Sequence, residues 1–162
     1  MNISAAKNYY CFLIRGILLT AIALFSGCAS LPEPQPSVNY SPMLSYALSL
    51  QGTPYRYGKS SPKEGFDCSG FVKHVYEHQG ILLPRTVQEM GQSRMLTEVP
   101  KNELHSGDLV FFNIDGKPFS HVGIYVNNDD FIHAPSQSSG KVMLSSLKNR
   151  YWGGRFSCAR RP

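Results

Sequence analysis

Gly65-Phe66-Asp67-Cys68-Ser69-Gly70-Phe71-Val72 is the stretch from which the fold can be read. A glycine-bounded loop runs into a segment where Phe71, Val72, Val75 and Tyr76 recur at one-face helical spacing. Asp67 is a good N-cap residue directly before the cysteine, so Cys68 falls in the first turn of a helix. Unpaired N–H groups and the macrodipole favour an anion there, and the thiol pKa is expected to fall until thiolate is populated. Such a thiolate is a nucleophile that needs a histidine brought in from elsewhere. The same pattern also describes a small buried thiol in a core helix, a common fate of free cysteine. Within this stretch alone the two readings stand level.

Upstream, Met43 to Leu50 reads as a short amphipathic helix stopped by Gly52 and Pro54, and Pro54-Tyr55-Arg56-Tyr57-Gly58 as the loop leading to the cysteine. Before that helix, Pro32, Pro34 and Pro36 mark an extended tether. At ~3.1 Å per residue its reach is on the order of 40 Å. Residues 1–27 read as an export signal: Lys7 and Arg15 supply positive charge, and Gly16 to Phe25 is an apolar run too short to span a bilayer. The run closes on Leu24-Phe25-Ser26-Gly27-Cys28, which resembles a bacterial lipoprotein box with Phe25 where an aliphatic residue is usual. The resemblance implies a lipidated Cys28 at the mature N-terminus, stable membrane attachment and, with Ala29 following, an outer-membrane lipoprotein facing the periplasm. The expected organisation is a signal over 1–27, a lipidated cysteine and tether over 28–41, and one domain over 42–162.

Downstream, the helix from Cys68 is expected to end near Gly80. Leu83-Pro84-Arg85-Thr86 reads as a turn, with Thr86 and Glu89 at the spacing of a capping box for the next helix. From Gly107 the pattern becomes short strands: Asp108 to Ile114, His121 to Val126, Phe131 to Ala134, Val142 to Leu144 and Arg155 to Ala159. Gly116, Asn127-Asn128 and Gly140 mark turns between them. Helices first and antiparallel strands second is an α+β arrangement, with N-terminal helices packed on a five- to six-stranded antiparallel sheet.

Composition fits one globular domain plus an appendage: 162 residues, 42% hydrophobic and 17% charged. Removing Lys7 and Arg15, the only charges of residues 1–27, lowers the net charge from +5 to +3. The basic residues are scattered without aromatic platforms, so nucleic acid is set aside as a partner. Once Cys11 leaves with the signal and Cys28 carries lipid, Cys68 and Cys158 remain, and both are expected as free thiols.

His121 opens one expected strand and His133 lies in its neighbour, so in a hairpin both imidazoles can share a face toward the Cys68 helix. The chemistry then assigns roles. Cys68 attacks an amide carbonyl, His121 takes the thiol proton and later protonates the leaving amine, and His133 fixes the tautomer of His121. His74, His78 and His105 read as structural or solvated. A zinc site from Cys68, His121 and His133 is the sharper rival, but it lacks Cys-x-x-Cys or His-Glu-x-x-His spacing, so neither metal nor cofactor is expected.

Gly52-Thr-Pro-Tyr-Arg-Tyr-Gly58, Asp67-Cys-Ser-Gly-Phe-Val72, Leu83-Pro-Arg-Thr86, Gly107-Asp-Leu-Val-Phe-Phe112, His121-Val-Gly-Ile-Tyr125 and Phe131-Ile-His-Ala134 together resemble the NlpC-type cell-wall peptidases. The resemblance runs from about Leu44 to the C-terminus, and with the lipoprotein box the whole chain looks like an NlpC-type lipoprotein. It implies a papain-like fold with the nucleophile at a helix N-terminus, and the catalytic set Cys68, His121 and His133. Tyr55 is implied as an oxyanion donor beside the backbone N–H of Cys68. The implied substrate is a peptidoglycan stem peptide cut between D-glutamate, through its γ-carboxyl, and the diamino acid, by way of a thioester. Arg85 then reads as a carboxylate clamp, and Asp67 and Ser69 as contacts for the substrate's amino end, with helix capping the other reading of Asp67. Lys59 stands where many relatives have a second glycine, which puts the loop shape beside Tyr55 in question. The expected protein is a monomer, any adaptor being unidentified. Rivals are an acyltransferase or amidase on the same triad, and a non-catalytic murein-binding lipoprotein.

Overall fold

Each core helix of this protein begins on a side-chain cap and buries apolar residues in a core shared with one antiparallel sheet. The computed structural model describes residues 40–162 except Asp115. The expected signal, Cys28 and all of the tether but Tyr40 and Ser41 therefore lie outside the described residues. Helix α1 (Pro42–Ser49) is capped by Ser41 and buries Leu44 and Ala47. Two short strands, β1 (Ser60–Ser61) and β2 (Gly65–Phe66), pair antiparallel and deliver the chain to α2 (Cys68–Glu77). The Asp67 side chain accepts from Gly70 N at the start of α2. Phe71, Val72, Val75 and Tyr76 form its buried stripe. Each such side chain contributes roughly 1.5–3 kcal/mol when removed from water. Helix α3 (Val87–Gln92) opens on the Thr86/Glu89 capping box, with both reciprocal hydrogen bonds made.

The remaining chain builds a six-stranded sheet of order β3-β8-β4-β5-β6-β7. Its strands are β3 (Thr97–Val99), β4 (Leu109–Ile114), β5 (Lys117–Asn127), β6 (Asp130–His133), β7 (Met143–Ser146) and β8 (Phe156–Arg161), every pair antiparallel. A short helix α4 (Arg150–Gly153) crosses from β7 to β8. Strand alternation sorts the core into two faces. Leu109, Phe111, Val122, Ile124 and Ile132 pack against the helices, while Val110, Phe112, Tyr125 and Phe131 pack on the other face with Trp152. Arg161 clamps the buried Asp108 with Nε and Nη2 at 2.7 and 2.8 Å, joining β8 to the start of β4.

The architecture is the expected α+β arrangement, with differences at the margins. Helix α2 stops at Glu77, short of Gly80. Strand β5 begins at Lys117, four residues before His121, because the β4–β5 hairpin continues through a register shift near Phe112 and Ile114. The sequence reading passed over β1, β2, β3 and α4. Each is four residues or fewer, too short to show a period. Lys59 causes no strain in its loop: Gly58 takes the positive φ of 77°, and among the described residues those with positive φ other than glycine are Phe119, Asn128 and Asp129.

Candidate active site

Asp67, one residue before the sulfur, organises the whole approach to it. Its Oδ1 accepts from Gly70 N at 2.7 Å and its Oδ2 from Gly58 N at 2.9 Å, tying the Tyr55–Gly58 loop to the start of α2. The Arg85 guanidinium grips both oxygens, at 3.1 and 2.7 Å, and donates to Ser69 Oγ at 2.8 Å. Asp67 and Ser69 are only 6% and 5% exposed, and this network occupies them. Arg85, by contrast, is half-buried, with its guanidinium held at the cleft wall by Asp67.

Cys68 lies in a cleft of about 570 Å³. Tyr55, Tyr57 and Gly58 form one side, Val87, Gln88, Phe119 and Ser120 line it further, and Asp67, Ser69 and Arg85 complete it. Backbone N–H groups of Ser69, Val122 and Cys68 itself lie near Sγ and favour its anion. Val122 N is covalently bonded to the carbonyl carbon of His121, so this contact sets the sulfur beside the first residues of the His121 motif. Burial pushes the thiol up to about 11, and the Asp67 carboxylate pushes the same way against those N–H groups. The expected lowering by the helix terminus is therefore overturned: desolvation outweighs it, and Cys68 rests as a neutral thiol at neutral pH. Cys68 and Cys158 are both free.

His121 Nε2 and His133 Nδ1 are 2.7 Å apart, in a site where the two residues are 3% and 0% exposed. Among the described residues this is the only side-chain hydrogen bond of His121, which leaves its Nδ1 uncommitted. Burial lowers His121 to about 3 and lowers His133 as well, so both imidazoles are neutral. Their placement differs from the expected one. Val122 and Ile132 face the helices, so alternation turns both imidazoles to the opposite face, among Phe112, Phe131 and Trp152. The Trp152 ring lies 5.2 Å from that of His121 and 4.7 Å from that of His133. Val122, the residue after His121, is the part of β5 nearest the sulfur.

Tyr55 sits on the cleft wall, its backbone N–H donating to Gly140 O at 2.8 Å. Burial, then the neighbouring Cys68 and Asp67, raise its phenol, which stays a neutral donor. Several side chains at the site carried no functional reading in the sequence, Phe119, Ser120 and Ser145 among them. Phe119 and Ser120 line the cleft, and Ser145 Oγ lies 2.9 Å from His133 Nε2. Only their nearness to His121 in the chain marked the first two, and nothing marked Ser145. His74 bonds the Tyr46 hydroxyl at 2.8 Å and lies away from the cleft.

The chain is similar to known proteins in sequence and in fold. The NlpC/P60 family pattern matches residues 52–161. The chain is 42% identical over 154 residues to the probable endopeptidase NlpC of Escherichia coli, covering 90% of this chain and 96% of that one. It is 43% identical over 112 residues to the murein DD-endopeptidase MepH of the same organism, covering 68% of this chain and 41% of MepH. A crystal structure of an NLP/P60 family protein from Staphylococcus aureus, described as similar to lipoprotein, superposes with a TM-score of 0.66 at 31% identity. That match covers 82% of this chain and 44% of the other.

Proposed function

The chain belongs to the NlpC/P60 family, and from that premise we propose that it is a peptidoglycan endopeptidase acting through Cys68, His121 and His133. The observation that carries the reading is the sulfur at a helix N-terminus in an open cleft, beside a strand whose first histidine is bonded to a second. The thiol donates its proton to Nδ1 of His121 as Sγ attacks the scissile carbonyl carbon. The carbonyl oxygen, now an anion, accepts from the Cys68 backbone N–H and the Tyr55 phenol. Each such donor is worth ~3–4 kcal/mol in the transition state of comparable hydrolases. Collapse breaks the C–N bond, His121 returns the proton to the departing amine, and a thioester remains. Water hydrolyses it with His121 again as base, which restores the thiol.

The bond we assign is that between the D-glutamyl γ-carboxyl and the diamino acid of a stem peptide. Such peptides carry several carboxylates, and Arg85 presents a guanidinium to the cleft, pre-oriented by Asp67 and Ser69. In this reading Asp67 and Ser69 hold the clamp, their own polar atoms being engaged. Similarity to MepH, named as a DD-endopeptidase, favours a second reading in which the cross-link is cut. We further assign a lipid at Cys28 and a location on the outer membrane facing the periplasm. The support is the apolar run ending at Ser26-Gly27-Cys28.

Mass analysis of murein fragments after incubation with the protein tests both bond and mechanism. The expected product ends in D-glutamate, whereas loss of cross-linked dimers with intact stems would establish the second reading. Cys68→Ala is expected to abolish cleavage while the circular dichroism spectrum stays unchanged. Turnover by that variant would end the thiol mechanism.

A further inference from the structure

His133 does not end the chain of hydrogen bonds that starts at His121. Its Nε2 lies 2.9 Å from Ser145 Oγ on β7, and β6 and β7 are paired so that His133 stands opposite Met143. A neutral imidazole has one N–H and one bare nitrogen, so a bond at one nitrogen dictates the state of the other. For His121 to accept a proton at Nδ1, its own proton must sit on Nε2 and be donated to His133 Nδ1. His133 must then carry its proton on Nε2, which needs an acceptor. Ser145 Oγ is the acceptor within reach.

We propose that Ser145 is a positioning residue that, through His133, fixes the bare nitrogen of His121 toward Cys68. The inference rests on the peptidase reading and deepens it. A hydroxyl can donate as well as accept, so the direction of the chain needs a second constraint, and the thiol supplies it. A reversed chain would put a proton on Nδ1 of His121, which could then only donate to a sulfur lone pair and could not take the thiol proton. Ser145 is half-exposed, so its own proton can go to solvent while Oγ accepts. Trp152 and Phe131, with ring centroids 4.7 and 4.6 Å from that of His133, fill the space around the imidazole and keep the pair aligned.

Ser145→Thr and Ser145→Val are the paired test. The two new side chains have the same shape and both suit a strand, so they differ in one oxygen against one methyl. Nitrogen NMR of labelled histidine reads the tautomers without any need for turnover. The wild type and Ser145→Thr are expected to show His133 protonated on Nε2 and His121 bare at Nδ1. Ser145→Val is expected to show a mixture, with kcat on muropeptides down about tenfold and KM within about twofold. A wild-type His133 protonated on Nδ1, or a Ser145→Val enzyme as fast as Ser145→Thr, would overturn the inference. Expected tautomers in a wild type that cleaves no muropeptide would support the tautomer lock and overturn the peptidase reading instead.

Discussion

Two opposed effects meet at the Cys68 sulfur, and their sizes decide its state. A helix terminus favours an anion by about 0.3–1 kcal/mol. The rise from the ordinary thiol value of 9.0 to about 11 corresponds to roughly 3 kcal/mol against the thiolate. With His121 lowered to about 3, thiol and imidazole are both uncharged across the neutral range. The proton therefore moves during attack, not before it. Alkylation of Cys68 by iodoacetamide, followed by peptide mass mapping, is expected to be slow at pH 7 and to quicken about tenfold per pH unit up to about 11. A fast, flat profile from pH 6 to 8 would mean a resting ion pair. The sequence singles out Cys68, His121 and His133 because each stands in a distinctive stretch. Their charge states were not legible, because desolvation comes from groups such as Tyr55 and Trp152 that fold in from far along the chain.

At the scale of elements, the first turn of α2 is held against the loop before β1 by one missing side chain. A Cβ on Gly70 would lie 2.2 Å from the carbonyl oxygen of Lys59 and 2.9 Å from Asp67 Oδ1. Alanine gains about 1 kcal/mol of helix propensity over glycine. Overpacking against backbone costs about 1–3 kcal/mol, and here the clash also strains the Asp67 network. Gly70→Ala is therefore expected to lower stability by about 2 kcal/mol in urea melts and to slow turnover as the Asp67–Arg85 pair shifts. A stabilised variant would show that the loop yields freely. The capping box at Thr86 and the turn glycines were readable in advance because they depend on neighbours three residues away or fewer. The facing of His121 was not. Period-two alternation shows that His121 and Val122 point opposite ways, but only the packing of α2 against Val122 says which way is which.

For the molecule as a whole, the two buried imidazoles make stability depend on pH. In the unfolded chain they bind protons near pH 6.5. The folded chain holds them neutral down to about pH 3 at His121, and His133 is lowered as well. The unfolded state thus takes up more protons below 6.5, so the contribution is complete above that pH and lost as the solution is acidified. The slope is about 1.4 kcal/mol per pH unit for each imidazole. Urea melts at pH 7 and pH 5 are expected to show the fall, and His133→Asn is expected to reduce its slope, with His121 and, to a smaller extent, the desolvated His74 supplying what remains. Equal slopes in wild type and variant would place the acid sensitivity elsewhere.

The sheet order carries a consequence for how this enzyme comes into being. β8, the last of the described strands in chain order, is inserted between β3 and β4. A nascent polypeptide that has grown only to Gly154 already holds the sulfur, both imidazoles and Ser145, yet its two strands face an unfilled slot. Such an intermediate exposes ribbon edges that recruit any passing strand. Completion of the sheet therefore waits until β8 has been synthesised, and a product ended before that strand would be a hazard for aggregation long before it was a hazard for the wall.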